Sequence, residues 1–436
     1  MKRSIALILT LICLLMLSPG CIDSHEEALP TSSPQAEIPI TGSEKCMTRL
    51  PDGGYCFDYR YTSIGAIISE PTIFETDDAV YFLCRGKLYI SDKQYKEFIP
   101  LCAKPNCDHD NEDCSAMLGE NVSSFWIYDK YIYYIWDGLG PDESAAITHP
   151  ALYRMGLDGY DHEKVMQLPE HQVDYTPGFC NWSYIFSNKF LFVTHSLAKT
   201  TPAMGGKLDT GSFIITLDEL NAKAVDTAGL GFPVYGRGSQ LFCFGTEKSG
   251  ERNYIPFFSV YDFETDEFRR IGEAEGWIDV YDGGNAVAGD KVIYLDWDQQ
   301  NHIISLHAMD IETGENELLA TGNEYNVKWL VFDWSTQTLF RSYLGRNDGP
   351  EEETRPNWGL YVCDLNGNEL VKSLYEDLPE DFFEARLTYQ TDNYIFAVPP
   401  DDEGSFGTAL TLPTWYIDKS EMGTENFGWH RWAPED

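Results

Sequence analysis

Three cysteines and a histidine lie in one short segment, and their side chains are of the kinds that bind metal ions or form disulfides. The four residues are Cys102, Cys107, His109 and Cys114. Three thiolates and an imidazole suit a tetrahedral ion such as zinc, and four protein ligands leave no open position for a substrate. Exported proteins often oxidise such cysteines, which would give a Cys107–Cys114 or Cys102–Cys107 disulfide. The sequence therefore predicts a structural staple, either zinc or a disulfide, and leaves open that neither forms.

Acidic residues are interspersed with these ligands. They are Asp108, Asp110, Glu112 and Asp113. Carboxylate oxygens at this density could bind calcium. The interpretation favoured here is a solvated acidic loop.

The other cysteines have simpler expectations. Cys46 and Cys56 flank a turn at Asp52-Gly53-Gly54 and could bridge each other. The rest lie in or near apolar strands and are expected to be buried thiols; they are Cys84, Cys180, Cys243 and Cys363.

The first 20 residues follow the plan of a secretory signal. Lys2 and Arg3 precede an apolar run from Ile5 to Leu17, and Ser18-Pro19-Gly20 leads to Cys21. The run is too short for a membrane span, which needs about 20 residues. An ordinary signal peptide cut near Cys21 is one interpretation of this pattern.

The same residues resemble the lipobox of bacterial lipoproteins, although Leu17 lies one place further from Cys21 than the usual leucine. The resemblance implies that Cys21 is the lipidation site, carries fatty acyl chains such as palmitate and becomes the new N-terminus. Residues 21–45 contain three prolines and no aromatic residue, so they are expected to form a flexible tether. The expected location is outside the cell, lipid-anchored to the outer face of a bacterial membrane.

The net charge is strongly negative. The chain has 70 acidic and 31 basic residues, for a net charge of −39. Such a field repels phosphate backbones, so nucleic-acid binding is excluded. It is compatible with divalent cations and with cationic or neutral ligands, and a monomer is expected.

A two-hairpin repeat indicates the fold class. An apolar strand, a polar turn and an aromatic or alternating strand recur at intervals of about 50 residues, the size of a propeller blade. The turns are Asp77-Asp78, Asp129-Lys130, Asn188-Lys189, Arg237-Gly238, Gly289-Asp290, Ser335-Thr336 and Thr391-Asp392. A second turn follows each, at Asp92, Asp158, Asp218, Asp262, Asp310, Asp364 and Asp418. The prediction is an all-β chain whose residues 46–436 form a single β-propeller of seven four-stranded blades; the alternative is a set of β-sandwich domains.

The aromatic strands and the turns such as Leu152-Tyr153 to Asp158-Gly159 resemble bacterial β-propeller lipoproteins. That group is loosely related to the YWTD propellers of lipoprotein receptors and to TolB-type propellers. The resemblance implies binding or scaffolding rather than catalysis. For ring closure, a fourth strand is expected within 427–432, and a strand within 59–69 could join the last blade.

Connections between the second and third strands of the blades are long and share one face in an antiparallel blade. His149, Arg355 and Trp358 lie in them. The cysteine segment is predicted to be a connection between blades, which emerges on the same face. We therefore expect a ligand-binding face with these residues and the cysteine segment near its rim. The predicted function is non-catalytic binding of an unidentified cell-surface or extracellular protein, peptide or glycan. The alternative is an extracellular carbohydrate-active or other hydrolytic enzyme that uses central-channel carboxylates.

Overall fold

The structure is a computed structural model. It describes residues 47–57, 73–93, 97–111, 113–119, 122, 124–136, 147–148, 150–168, 171–172, 180–198, 208–225, 231–249, 253–274, 285–298, 303–322, 327–333, 336, 338–343, 359–366, 368–374, 386–398 and 415–431. Seven antiparallel sheets of four strands follow one another along the chain, so the fold is the predicted seven-bladed propeller. No helix in these ranges is long and apolar enough to cross a membrane.

A two-stranded hairpin precedes the first blade. Its strands are β1 (Met47–Arg49) and β2 (Tyr55–Phe57). Blade 1 consists of β3 (Ile73–Glu75), β4 (Val80–Cys84), β5 (Lys87–Ser91) and β6 (Ile99–Pro100). Blade 2 consists of β7 (Phe125–Tyr128), β8 (Tyr131–Trp136), β10 (Ala151–Gly156) and β11 (Glu163–Gln167), and β9 (Ile147–Thr148) pairs separately with β12 (His171–Gln172).

The remaining five blades each use four consecutive strands. Blade 3 is β13 (Cys180–Ser187), β14 (Phe190–Ala198), β15 (Leu208–Thr216) and β16 (Asn221–Ala224). Blade 4 is β17 (Phe232–Arg237), β18 (Gln240–Ser249), β19 (Asn253–Asp262) and β20 (Glu267–Glu273). Blade 5 is β21 (Asn285–Ala288), β22 (Lys291–Asp298), β23 (Ile303–Asp310) and β24 (Asn316–Gly322). Blade 6 is β25 (Val327–Asp333), β26 (Thr338–Tyr343), β27 (Gly359–Cys363) and β28 (Glu369–Leu374). Blade 7 is β29 (Arg386–Gln390), β30 (Tyr394–Val398), β31 (Trp415–Asp418) and β32 (His430–Arg431).

The turns form for the reasons that the sequence indicates. Several first-to-second-strand turns contain a residue with left-handed backbone, such as Asn188 (φ 54°) and Gly289 (φ 57°), which asparagine and glycine adopt readily. At the third-to-fourth turns of blades 2, 4, 5, 6 and 7 an aspartate accepts hydrogen bonds from backbone N–H groups further along. Asp310 Oδ1 accepts from the N–H groups of Glu312 and Thr313 at 3.0 and 2.7 Å, and these bonds hold the pKa of Asp310 below its usual range.

The first strands line the inside of the ring and the fourth strands its outside. First strands of neighbouring blades contact each other, as β13 contacts β17 and β21 contacts β25. Trp126 of blade 2 stacks on Phe186 of blade 3 with centroids 5.0 Å apart, and its indole N–H donates to the Asn188 carbonyl at 3.1 Å. Fourth strands carry exposed apolar side chains instead, including Phe268 and Leu318. Apolar burial between blades, rather than one central core, therefore stabilises the fold.

The ring closes between blade 7 and blade 1. Blade 7 takes all four strands from the C-terminal part of the chain, including β32 within the predicted segment 427–432. Phe396 of blade 7 packs with Ile73 and Phe82 of blade 1, and the Asn393 side chain donates to the Glu75 carboxylate. The strand suggested within 59–69 lies outside the described residues.

The N-terminal hairpin contacts the first turns of three blades. Tyr55 exchanges backbone hydrogen bonds with Asp129 of blade 2, at 2.8 and 2.6 Å, and its hydroxyl donates to Asp78 of blade 1. The Asn188 N–H of blade 3 donates to the Phe57 carbonyl at 2.7 Å. The hairpin therefore links blades 1–3, a role that the sequence did not indicate.

Candidate metal centre

The cysteine segment is an insertion into the fourth strand of blade 1. Before it, the Leu101 N–H donates to the Leu88 carbonyl at 2.8 Å. After it, the Leu88 N–H donates to the Ala116 carbonyl at 2.9 Å, and the Leu118 N–H donates to the Gly86 carbonyl at 2.8 Å. Both flanks thus pair with the same strand, β5. The segment was predicted to be a connection between blades, but its two flanks pair within blade 1, and the connection to blade 2 begins after Leu118.

The insertion brings the four predicted ligands together. The donor atoms of Cys102, Cys107, His109 and Cys114 all lie within 4.8 Å of one another, and His109 Nδ1 is 3.4 Å from Cys114 Sγ. Zinc–sulfur bonds of about 2.3 Å place the sulfurs of a tetrahedral site about 3.8 Å apart. The donor set therefore fits a tetrahedral ion, and the cluster can bind a metal such as zinc.

Burial differs among the ligands. Cys114 is 2% exposed, and the other three are half-buried. No disulfide joins Cys102, Cys107 and Cys114 in the structure. The site therefore has one ligand in the protein interior and three towards the surface, which leaves a route for an ion to enter.

Hydrogen bonds hold the ligands in place. The Ser115 hydroxyl donates to Cys102 Sγ at 3.4 Å and accepts from the Ala103 N–H at 3.0 Å. The Lys87 ammonium of β5 donates to the His109 carbonyl at 2.7 Å. Contacts of this kind orient the ligands of structural metal sites.

The two end cysteines differ in acidity. Burial opposes ionisation of Cys102, but hydrogen bonds from the Ser115 side chain and from the Lys104 N–H outweigh it and lower the pKa of Cys102 to about 6. Burial raises the pKa of Cys114 to about 11, and the neighbouring Cys102 and Cys107 sulfurs add to the rise. A bound cation would favour the thiolate form at each sulfur.

The acidic residues of the insertion do not join the cluster. Asp108, Asp110 and Asp113 are exposed, and the group of side chains that could hold a metal contains none of them. Glu112 lies outside the described residues. This arrangement agrees with a solvated acidic loop.

The insertion packs against the third-to-fourth turn of blade 2. The Tyr160 hydroxyl donates to the Ala103 carbonyl at 2.6 Å. Gly159 has φ +81°, and a Cβ there would lie 2.7 Å from the Leu101 carbonyl oxygen, so the turn and the strand are in close contact. The insertion therefore contributes to the boundary between blades 1 and 2.

The other predicted functional residues are separate from this cluster or not described. Cys21, His149, Arg355 and Trp358 lie outside the described residues, as does Cys46, so the pairing of Cys46 with Cys56 stays a prediction. The Cys56 thiol donates a hydrogen bond to the Asn188 side chain, with Sγ and Oδ1 2.9 Å apart. The thiols predicted to be buried at Cys84, Cys243 and Cys363 are buried, and Cys180 lies in β13.

Comparison with known proteins agrees with the fold. No protein-family model matches the sequence, and no curated protein matches it significantly. An oligogalacturonate lyase solved in complex with manganese is 13% identical, with a TM-score of 0.50 over 85% of this chain and 94% of that one. TolB from Acinetobacter baumannii is 14% identical, with a TM-score of 0.34 over 67% of this chain and 62% of that one. A chain of the nidogen–laminin complex is 10% identical, with a TM-score of 0.31 over 68% of this chain and 93% of that one. At such identities the likeness concerns the fold alone.

Proposed function

We propose that this chain is a lipid-anchored, non-catalytic propeller that binds a protein, peptide or glycan outside the cell. The observation that carries the proposal is the unequal length of the connections within the blades. First turns are short, as at Asn188-Lys189 and Gly289-Asp290, whereas long stretches separate the second and third strands of blades 2, 6 and 7. Those stretches run from Trp136 to Ala151, from Tyr343 to Gly359 and from Val398 to Trp415. Long connections on a rigid scaffold are where binding residues concentrate.

The antiparallel strand order supports one shared binding face. In each blade the second-to-third connection leaves from the end opposite the first turn. His149, Arg355 and Trp358 belong to these connections, and they are the proposed ligand contacts. The net charge of −39 favours a neutral or cationic ligand.

Binding is tested with defined probes. The mature chain is titrated by calorimetry with oligogalacturonate, chito-oligosaccharides and oligolysine. We expect at least one to bind, and we expect Trp358→Ala and Arg355→Ala to weaken that binding about tenfold, a loss of about 1.4 kcal/mol. Lys130→Ala is the matched control, because Lys130 lies at a first turn and pairs there with Asp52. Unchanged affinity in both loop variants would contradict the proposed face.

The same experiment separates binding from catalysis. Oligogalacturonate is included because a lyase for it has the same fold. Shortening of that oligosaccharide by the wild-type chain would replace the binding proposal with a carbohydrate-active enzyme. Recovery of every probe at its original length supports the non-catalytic role.

The lipid anchor is proposed on the resemblance of residues around Cys21 to a lipobox. Mass spectrometry of the N-terminal peptide from membrane fractions should show acyl chains on Cys21. Cys21→Ser should release the chain from the membrane. An N-terminus other than Cys21, or an unacylated Cys21, would contradict the anchor.

We also propose that Cys102, Cys107, His109 and Cys114 hold one structural zinc ion. The support is a full set of four soft and borderline ligands within 4.8 Å, with no position left open for a substrate. Elemental analysis of the reduced protein should find one zinc per chain in the wild type and in Cys243→Ser, and none in Cys107→Ser. Zinc well below one per chain, with only one of the three thiols in 102–114 titratable in the protein as isolated without reductant, would establish a disulfide instead.

A further inference from the structure

We infer that the ion at the cysteine cluster joins the two halves of a split strand and thereby holds the outer edge of blade 1 against blade 2. This inference rests on the zinc proposal above and assigns the ion a specific mechanical role. The fourth strand of blade 1 is the place where the ladder is broken, and the cluster lies at the break.

The two halves of the strand have little pairing of their own. The first half, β6, pairs with β5 through only Ile99 and Pro100, and Leu101 adds one further bond. The second half is a single bridge between Met117 and Lys87, with the bonds of Ala116 and Leu118 beside it. Such short pairings are marginal in water unless another constraint holds the strands together.

The ligands occupy both ends of the insertion. Cys102 directly follows Leu101, the last paired residue of the first half. Cys114 lies two residues before Ala116, the first paired residue of the second half. An ion bound to both cysteines therefore removes the freedom of the loop between them, and with it the entropy that opposes pairing of the two halves.

The loop itself cannot order by apolar burial. Residues 103–113 read Ala-Lys-Pro-Asn-Cys-Asp-His-Asp-Asn-Glu-Asp and contain no large apolar side chain. Segments of this composition do not bury enough apolar surface to offset their ordering entropy. An ion bound by Cys107 and His109, in the middle of the loop, supplies the constraint that apolar burial cannot.

The ordered loop carries contacts to both blades. Lys87 of blade 1 donates to the His109 carbonyl, and Tyr160 of blade 2 donates to the Ala103 carbonyl. Both acceptors belong to the insertion, so both contacts depend on its conformation. Loss of the ion should therefore loosen the boundary between blades 1 and 2 before it affects the rest of the ring.

Hydrogen–deuterium exchange of the full chain tests this role. The reduced protein is measured with one equivalent of zinc and again after chelation. We expect the amides of Leu88, Leu101 and Leu118 to exchange at least tenfold faster without zinc. Amides of residues 240–249 in blade 4 should stay within twofold, because the hydrogen bonds described for the insertion go to Lys87 of blade 1 and Tyr160 of blade 2.

Variants separate the ion from the fold. With zinc present, Cys107→Ser and His109→Ala should both exchange like the chelated wild type, and Cys243→Ser should exchange like the zinc-bound wild type. Zinc bound at one per chain with no change on chelation would overturn the strand role and leave the zinc proposal standing. Equal acceleration in blades 1 and 4 would overturn it too, because the ion would then stabilise the whole ring. Absence of bound zinc in the wild type would overturn both.

Discussion

Blades 1 and 4 share one strand order but differ in how many backbone hydrogen bonds join their own strands. In blade 4 the second and third strands are ten residues each, and they pair from Gln240↔Asp262 to Ser249↔Asn253. In blade 1 the corresponding strands are five residues each, and the fourth strand has two. Blade 1 therefore makes far fewer ladder hydrogen bonds of its own.

Blade 1 is held by other parts of the chain instead. The hairpin ending at Phe57 packs on Phe74, with ring centroids 5.0 Å apart. Asn393 of blade 7 donates to Glu75, and Tyr160 of blade 2 donates to the Ala103 carbonyl of the insertion. Two blades of the same topology are therefore stabilised differently, blade 4 by hydrogen bonds within its own ladder and blade 1 by contacts with distant parts of the chain.

The largest expected difference concerns the cysteines of the two blades. Zinc at a thousand times its Kd should stabilise the wild type by about 4 kcal/mol, and Cys114→Ser should abolish this increment. Cys243→Ser in blade 4 should cost about 1–3 kcal/mol for placing a hydroxyl in a buried apolar site, with the zinc increment unchanged. Urea midpoints with and without zinc measure both effects. If zinc still stabilised Cys114→Ser by about 4 kcal/mol, the cysteines of blade 1 would be no more important for zinc binding than Cys243 of blade 4.

The next difference concerns carboxylates. Glu75 of blade 1 is 2% exposed and lies 3.1 Å from the more exposed Lys93. Glu75→Ala should cost about 2–3 kcal/mol, because it removes a buried carboxylate and leaves the Asn393 side chain without that hydrogen bond. Glu247 of blade 4 pairs with Arg270 but is 62% exposed, so Glu247→Ala should cost less than about 1 kcal/mol. Thermal unfolding of the two variants measures the losses in the free energy of unfolding. Equal losses would contradict the distinction between long-range and local stabilisation.

Two glycines with positive φ, one at the boundary of blade 1 and one in blade 4, should respond differently to substitution by alanine. Gly159→Ala places a Cβ 2.7 Å from the Leu101 carbonyl oxygen at the boundary with blade 1, and we expect a cost of about 2–3 kcal/mol. Gly238→Ala, in the first turn of blade 4, has the same kind of positive φ but open space around the Cβ, so it should cost about 1 kcal/mol. Chemical denaturation of the two variants gives the difference. A larger loss at Gly238 would show that the boundary of blade 1 adapts more easily than its contacts indicate.

The smallest effect is one that the two blades should share. Burial raises the pKa of Cys84 in blade 1 to about 11 and also raises the pKa of Cys243 in blade 4. Because the thiolate is the nucleophile, and a pKa of about 11 leaves roughly one thiolate in a thousand at pH 8, neither should be alkylated in the folded chain. Peptide mapping after iodoacetamide treatment at pH 8 should find both unmodified, and both modified in urea. Rapid labelling of Cys84 alone would show that blade 1 opens locally.

Much of the fold was readable because its signals are local. First turns such as Asn188-Lys189 depend on the backbone preference of single residues, and aspartates such as Asp364 form hydrogen bonds within a few residues, as between Asp364 Oδ1 and the Asn366 N–H. The four ligands of the candidate metal centre were also readable, since their side-chain types and close spacing limit what they can do. Local chemistry of this kind is carried by the order of residues alone.

Only the tertiary structure decided which distant parts of the chain the cysteine segment and the N-terminal hairpin contact. The cysteine segment is an insertion in a strand because Leu101 before it and Ala116 after it both form hydrogen bonds with Leu88 of β5. The hairpin at 47–57 reaches blade 3 because the Cys56 thiol forms a hydrogen bond with Asn188, 132 positions away in the chain. Pairings over such distances are selected by which backbone groups and apolar surfaces are satisfied together in the folded ring, and no local pattern of residues records that selection.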